Sequence, residues 1–186
     1  MPGNRAVGDG VVALIVPGIG NSGPQHWQTL WEQQHPEWQR VQQRDWDRPV
    51  CEEWLLGLDA AMDRLSAPPV LIAHSIGCLL VAHWAHRSSA PVCAAFLVAV
   101  PDPDGSLFPS AAQGFQPVPS GKLRFPSLIV ASSDDPFGSV AYARRCAAGW
   151  GSQFVEVGAV GHINADSGLG DWPAGIALFE GLLKSL

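Results

Sequence analysis

The chain is poor in charge. Only 15% of its 186 residues are Asp, Glu, Lys or Arg, and acids outnumber bases 17 to 11, for a net charge of −6 at pH 7. A chain without a basic excess has no means of sequence-independent attachment to phosphate backbones or anionic lipid. Nucleic acid and membrane surfaces are therefore not expected partners. A membrane-length apolar run is also missing. The longest candidate, Val70 to Ala85, is interrupted by His74, Ser75, Gly77 and His83 and falls short of the roughly 18 residues a span needs. No export signal is expected either, because Arg5 is followed by an apolar run, Val11 to Val16, that is too short for a signal-peptide core and is cut off by Pro17-Gly18. Paired cysteines are absent as well. Cys51, Cys78, Cys93 and Cys146 lie far apart without a CxxC pair, which excludes a recognisable zinc or redox motif and predicts reduced, mostly buried thiols. These absences point to a cytoplasmic protein with no metal.

What is present is core material. Hydrophobic residues make up 47% of the chain, with 8 Trp and 7 Phe, which suits a folded globular protein, and the length is that of one domain over residues 1–186. Short apolar runs alternate with longer helical patterns, the signature of βαβ units. Val11–Val16, Val70–Ala73, Ala94–Val100, Ser127–Ala131 and Phe154–Val157 read as buried parallel strands, with a weaker strand over Arg40–Arg44. Helices are expected over Pro24–His35, Cys51–Leu65, Cys78–His86, Val140–Ala148 and Trp172–Leu183. The predicted fold is a three-layer α/β/α sandwich around a mainly parallel sheet of five or six strands. Residues 101–126, with Pro101, Pro103, Pro109, Pro117, Pro119 and Pro126, are too long for an ordinary connection and read as a lid or pocket wall.

Three strand ends carry residues with a shared chemistry. Ala73-His-Ser-Ile-Gly77 has the form of a nucleophile elbow, in which a tight strand-to-helix turn exposes a serine oxygen. The plainer alternative makes Ser75 a helix N-cap. A serine hydroxyl needs a base to take its proton, and the base needs an acid to orient it. Ser132-Ser-Asp-Asp-Pro136 and Gly161-His162 follow the next suitable strands in that order. Neighbours in an extended segment point opposite ways, so only one of Asp134 and Asp135 can serve. Pro136 biases Asp135 towards extended backbone, which favours Asp135 and leaves Asp134 in reserve. The oxyanion of such a reaction needs two donors. The backbone N–H of Ile76, directly after Ser75, is one, and Pro17-Gly-Ile-Gly-Asn21 can bring that of Ile19 as the other. His26, Phe108, Phe115 and Phe137 are expected pocket residues. His83 and His86, on one helix, have no third ligand nearby and read as a packed pair, and Cys78 reads as a small core residue.

Two competitors stand beside this reading. Gly18-Ile-Gly-Asn-Ser-Gly23 also fits G-x-G-x-x-G between a strand and a helix, with Asp45 or Asp47 as the ribose acid of a dinucleotide oxidoreductase. Pro24 directly after the third glycine and the ill-defined second strand weigh against it. The other is a non-catalytic binding protein on an enzyme-like scaffold.

Val16-Pro-Gly-Ile-Gly20 with His26-Trp27, Ala73-His-Ser-Ile-Gly77, Ser132-Ser-Asp-Asp-Pro-Phe137 and Gly161-His162 together make the chain resemble an α/β-hydrolase. In particular it resembles the small serine hydrolase family that includes retinoblastoma-binding protein 9 and bacterial relatives. The likeness runs along nearly the whole chain. It departs at Ala73, where many hydrolases have glycine, a conservative change. The resemblance implies a reduced sheet without a separate cap domain and a cofactor-free hydrolase. On it, Ser75 is the nucleophile, Asp135 the acid, His162 the base, and Ile19 and Ile76 the oxyanion donors. The expected activity is hydrolysis of a small ester, thioester or amide, so the expected partner is a small-molecule substrate.

Overall fold

A computed structural model describes residues 10–186, and Arg5 lies outside them. The chain runs β1 (Ala13–Val16), α1 (Trp27–Gln34), β2 (Gln39–Arg40), α2 (Cys51–Met62), β3 (Val70–His74), α3 (Ile76–Arg87), β4 (Ala94–Val98), β5 (Ser127–Ala131), α4 (Val140–Trp150), β6 (Gln153–Glu156) and α5 (Pro173–Lys184). The strands form one six-stranded sheet in the order β2-β1-β3-β4-β5-β6. All five pairings are parallel.

The unalternated strands follow from burial on both faces. Leu14, Val16, Leu71, Ala73, Leu97 and Ile129 pack beneath α2, α3 and α4, while Ile15, Val70, Ile72, Phe96, Val98 and Val130 pack beneath α1 and α5. The expected three layers are therefore present. Indole groups tie loops onto this core, because a buried indole N–H must find an acceptor. Trp27, Trp31 and Trp150 donate to the carbonyls of Ile163, Asp171 and Pro119 at 2.8, 2.6 and 2.7 Å. Each bond fastens an irregular segment to a helix.

The second strand is shorter than expected and lies earlier, at Gln39–Arg40 rather than Arg40–Arg44. As an edge strand it pairs only with β1 and is half-buried, so it needs no apolar run. Segment 101–126 contains neither helix nor strand. It folds back over α2 and α4, with the Cys51 amide on Gln113 O at 2.9 Å and the Leu123 amide on Trp150 O at 2.9 Å. Among the described residues no helix is long and apolar enough to cross a membrane.

From β1 the chain goes first to β2 on one side and then to β3 on the other. That reversal opens a crevice at the carboxyl ends of β1 and β3. Gly77 lets α3 close against it, since a Cβ there would run into the Val16 carbonyl oxygen.

Candidate active site

Ser75 stands between β3 and α3 with φ 56° and ψ −129°, a backbone conformation unfavourable for an L-residue. It occupies the N-cap position of α3, yet its side chain makes no capping bond. Instead Ser75 Oγ lies 2.8 Å from His162 Nε2. The strain at the elbow turns the hydroxyl out of the helix and towards the loop after β6.

On its other edge the His162 ring meets Asp135, with Nδ1 at 2.9 Å from both carboxylate oxygens. The Asp135 side chain is 2% exposed and that of His162 11%. A carboxylate only accepts, so Nδ1 carries the proton and Nε2 is free to accept from Ser75. Such a relay can draw a proton off the serine hydroxyl. Asp134 points away. Its Oδ1 accepts from the Ser132 hydroxyl at 2.8 Å and the Gly161 amide at 2.7 Å, and these bonds, the hydroxyl first, hold its carboxyl below the usual range. The neighbouring acids take the opposite directions expected of them.

The glycine loop after β1 leans on the elbow. A Cβ on Gly18 would sit 2.9 Å from Ser75 Cβ, so only glycine permits this approach. Arg40 Nη1 braces the loop by donating to Asn21 O at 2.7 Å, and the Gly20 amide donates to Trp46 O at 3.1 Å. Ile19 opens a short 3-10 turn and Ile76 opens α3, positions whose amides have no partner within the helix. This geometry weighs against the dinucleotide reading of Gly18, Gly20 and Gly23. The helix that follows starts at Trp27, and the His26 ring already accepts the Gln28 amide, at 3.1 Å. Asp45 is also occupied, by the amides of Asp47 and Arg48 at 3.0 and 2.9 Å.

A cavity of about 400 Å³ opens over Ser75 and His162. His26 and Phe137 line it as expected, beside Ile19 and Ile76. Phe108 and Phe115 do not. Phe115 is 1% exposed and packs edge-on against Trp54 and His83, because its segment is tied down on α2. Phe108 lines a separate hollow of about 320 Å³. The segment 101–126 instead supplies Pro101, Pro109 and Ala111 to the main cavity, small rigid walls that hydrophobicity alone did not single out. Asp47 and Asn164 also reach it. His83 and His86 spend one ring nitrogen each on Phe115 O and Ala82 O, as packed helix residues do. Burial pushes the Cys78 thiol far up, and its Sγ faces Val98 O at 3.3 Å, so it is a core residue.

His26 and His74 are buried beside the site, with ring centroids 4.6 Å apart. Burial, the Arg40 guanidinium and His162 lower the pKa of His26 to about 3. Burial likewise holds His74 well below its ordinary range. The unfolded rings titrate near pH 6.5, so the unfolded chain binds these protons first and stability falls as pH drops from about 6.5 towards 3. Going from pH 7.5 to pH 5 is expected to cost about 2 kcal/mol through His26 alone. His26→Asn keeps a capping acceptor and removes that loss. Urea unfolding at the two pH values checks this, and an undiminished pH slope in His26→Asn would contradict it.

A protein-family model described as serine hydrolase matches residues 13–181. No curated protein matches the sequence. Among solved structures, the chain is similar to a YdeN-like hydrolase from Pectobacterium atrosepticum, with 32% identity, coverage of 94% of this chain and 91% of the other, and a TM-score of 0.83. It is also similar to the ydeN gene product of B. subtilis (19% identity, 94% and 99% coverage, TM-score 0.75). A thermophilic esterase from Thermogutta terrifontis shares the fold (16% identity, 94% and 90% coverage, TM-score 0.66).

Proposed function

This chain belongs to the serine hydrolase family and is a hydrolase, and on that premise we propose that it cleaves a small ester, thioester or amide through an acyl-enzyme on Ser75. The observation that carries the proposal is the continuous contact from Ser75 Oγ through His162 to Asp135, at 2.8 and 2.9 Å. Ser75 Oγ attacks the substrate carbonyl while His162 Nε2 takes its proton. The oxygen of the tetrahedral intermediate gathers negative charge and is received by the amides of Ile19 and Ile76. His162 then passes the proton to the leaving alcohol, thiol or amine as the bond to it breaks. Water repeats the sequence on the acyl-enzyme, releasing the acid and restoring Ser75. Asp135 holds the imidazole in the tautomer that leaves Nε2 free.

The cavity supports this substrate class. About 400 Å³ walled by Ile19, Pro101, Pro109, Ala111 and Phe137 fits a small apolar acyl or alcohol group. The absence of a Lys or Arg among the lining residues removes any direct clamp for an anionic substrate. All four cysteines are free, which suits a cytoplasmic hydrolase.

The test is intact-protein mass spectrometry after a fluorophosphonate probe. A single adduct on the wild-type chain, absent from Ser75→Ala, is the expected result. A folded wild-type chain that takes no adduct would overturn the acyl-enzyme reading and favour a binding role for the scaffold.

A further inference from the structure

The loop that carries His162 is held in an unusual way. Among the described residues, Val160, Gly161, His162 and Ile163 belong to neither a helix nor a strand, so no ladder of backbone bonds fixes them. Two of these residues have left-handed backbone, Gly161 at φ 62° and Ile163 at φ 49°. For glycine that is ordinary, but a β-branched residue adopts it only when its surroundings impose it.

What imposes it is a series of side chains from separate elements. The Val160 amide donates to Ser132 Oγ at 3.0 Å, and the Gly161 amide to Asp134 Oδ1 at 2.7 Å. The carbonyl of His162 accepts from His74 Nε2 at 2.8 Å, and that of Ile163 from Trp27 Nε1 at 2.8 Å. A carbonyl cannot donate, so His74 carries its proton on Nε2. His74 is 4% exposed, Trp27 1% and Ser132 1%. Four successive residues are thus pinned from the loop after β5, from the end of β3 and from α1. Those are the same segments that present Asp135 and Ser75, or that border the cavity.

We propose that Asp134, His74 and Trp27 are positioning residues that clamp the backbone on both sides of His162. The proposal rests on the assignment of His162 as base to Ser75. In it the adjacent aspartates divide the work, Asp135 orienting the imidazole and Asp134 the backbone that bears it. His74 has a corresponding double place. It immediately precedes Ser75, and its ring reaches across to the His162 carbonyl, so the strand that aims the nucleophile also fixes the base. The distance between Oγ and Nε2 is then set by one short rigid path rather than by two independent loops. Displacement of a reacting group by about 1 Å can cost on the order of a hundredfold in rate.

The test separates positioning from folding. Asp134→Ala and His74→Leu remove a clamp bond, whereas Asp134→Asn keeps an acceptor at Oδ1 and His74→Gln keeps a donor. With p-nitrophenyl acetate as the probe substrate, the first pair is expected to lose about a hundredfold in kcat with little change in KM. The second pair is expected to recover most of that loss. Active-site titration by fluorophosphonate labelling, followed to completion, counts the acylated fraction of chains. A full count with a slowed rate per site supports the clamp. Wild-type kcat in Asp134→Ala and His74→Leu overturns it, as does a loss of rate matched by an equal loss of titratable sites. A wild-type chain that takes no adduct overturns the Ser75 assignment itself and the clamp with it.

Discussion

Ser75→Ala is expected to lower kcat for ester hydrolysis by about a millionfold, the scale found when a triad nucleophile is removed. The reason is specific to this site. Cys78 cannot take over, because it is fully buried, faces Val98 O and has its thiol pushed up by burial. What remains after Ser75 is lost is the binding cavity and the pair of backbone amides, which cannot form an acyl-enzyme. A second variant turns the same position into a test of strain. Ser75 sits at φ 56°, ψ −129°, the mirror image of an extended conformation that any L-residue adopts easily. Glycine has no preference between the two hands. Ser75→Gly should therefore lose activity as fully as Ser75→Ala while relieving strain on the order of 1–3 kcal/mol. Glycine also gains freedom in the unfolded chain, which offsets about 0.4–1 kcal/mol of that relief. The net expectation is that Ser75→Gly is more stable than Ser75→Ala by about 1 kcal/mol, measured by urea unfolding. Equal or lower stability of the glycine variant would contradict stored strain at the elbow, and undiminished turnover in either variant would remove Ser75 from the mechanism.

The difference between what the sequence disclosed and what it concealed follows the range of the interactions. Strands buried on both faces announce themselves by composition, so Ser127–Ala131 was bounded correctly and Val70–His74 to within a residue. The edge strand Gln39–Arg40 was displaced, because pairing on one side asks little of its side chains. The helices over Pro24–His35 and Cys51–Leu65 proved shorter, since the turns that flank them share their apolar spacing. At the site, Ser75, Asp135 and His162 were legible because each follows a strand, and strand ends converge in a parallel sheet. The pocket walls were not. Phe108 and Phe115 are bulky and apolar, but side-chain size does not say which face of an irregular segment turns inward. Pro101, Pro109 and Ala111 were decided by how that segment folds back on α2 and α4. The bonds from Trp27 and His74 to the loop of His162 span 136 and 88 positions, a separation over which no local pattern carries information.

Asp135→Asn is expected to lower kcat by about ten-thousandfold while Asp134→Asn changes it only a few-fold. The asymmetry comes from the hydrogen bonds of each carboxylate. Asp135 Oδ1 accepts the Phe137 amide at 2.9 Å, so an asparagine there must place its carbonyl oxygen at that position. Its NH₂ then replaces Oδ2, so His162 Nδ1, which lies 2.9 Å from both carboxylate oxygens, faces a donor on one side and keeps only the Oδ1 that the Phe137 amide already occupies. The imidazole responds by baring Nδ1 and moving its proton to Nε2. A protonated Nε2 cannot accept from Ser75 Oγ, although every atom remains where it was. Asp134→Asn has no such effect. Its Oδ1 still accepts from the Ser132 hydroxyl and the Gly161 amide, while the new NH₂ takes the exposed edge of the group. Steady-state kinetics of the two variants with p-nitrophenyl acetate decide the matter. A larger loss in Asp134→Asn than in Asp135→Asn would transfer the acid's role to Asp134 and dissolve the division of labour between the pair.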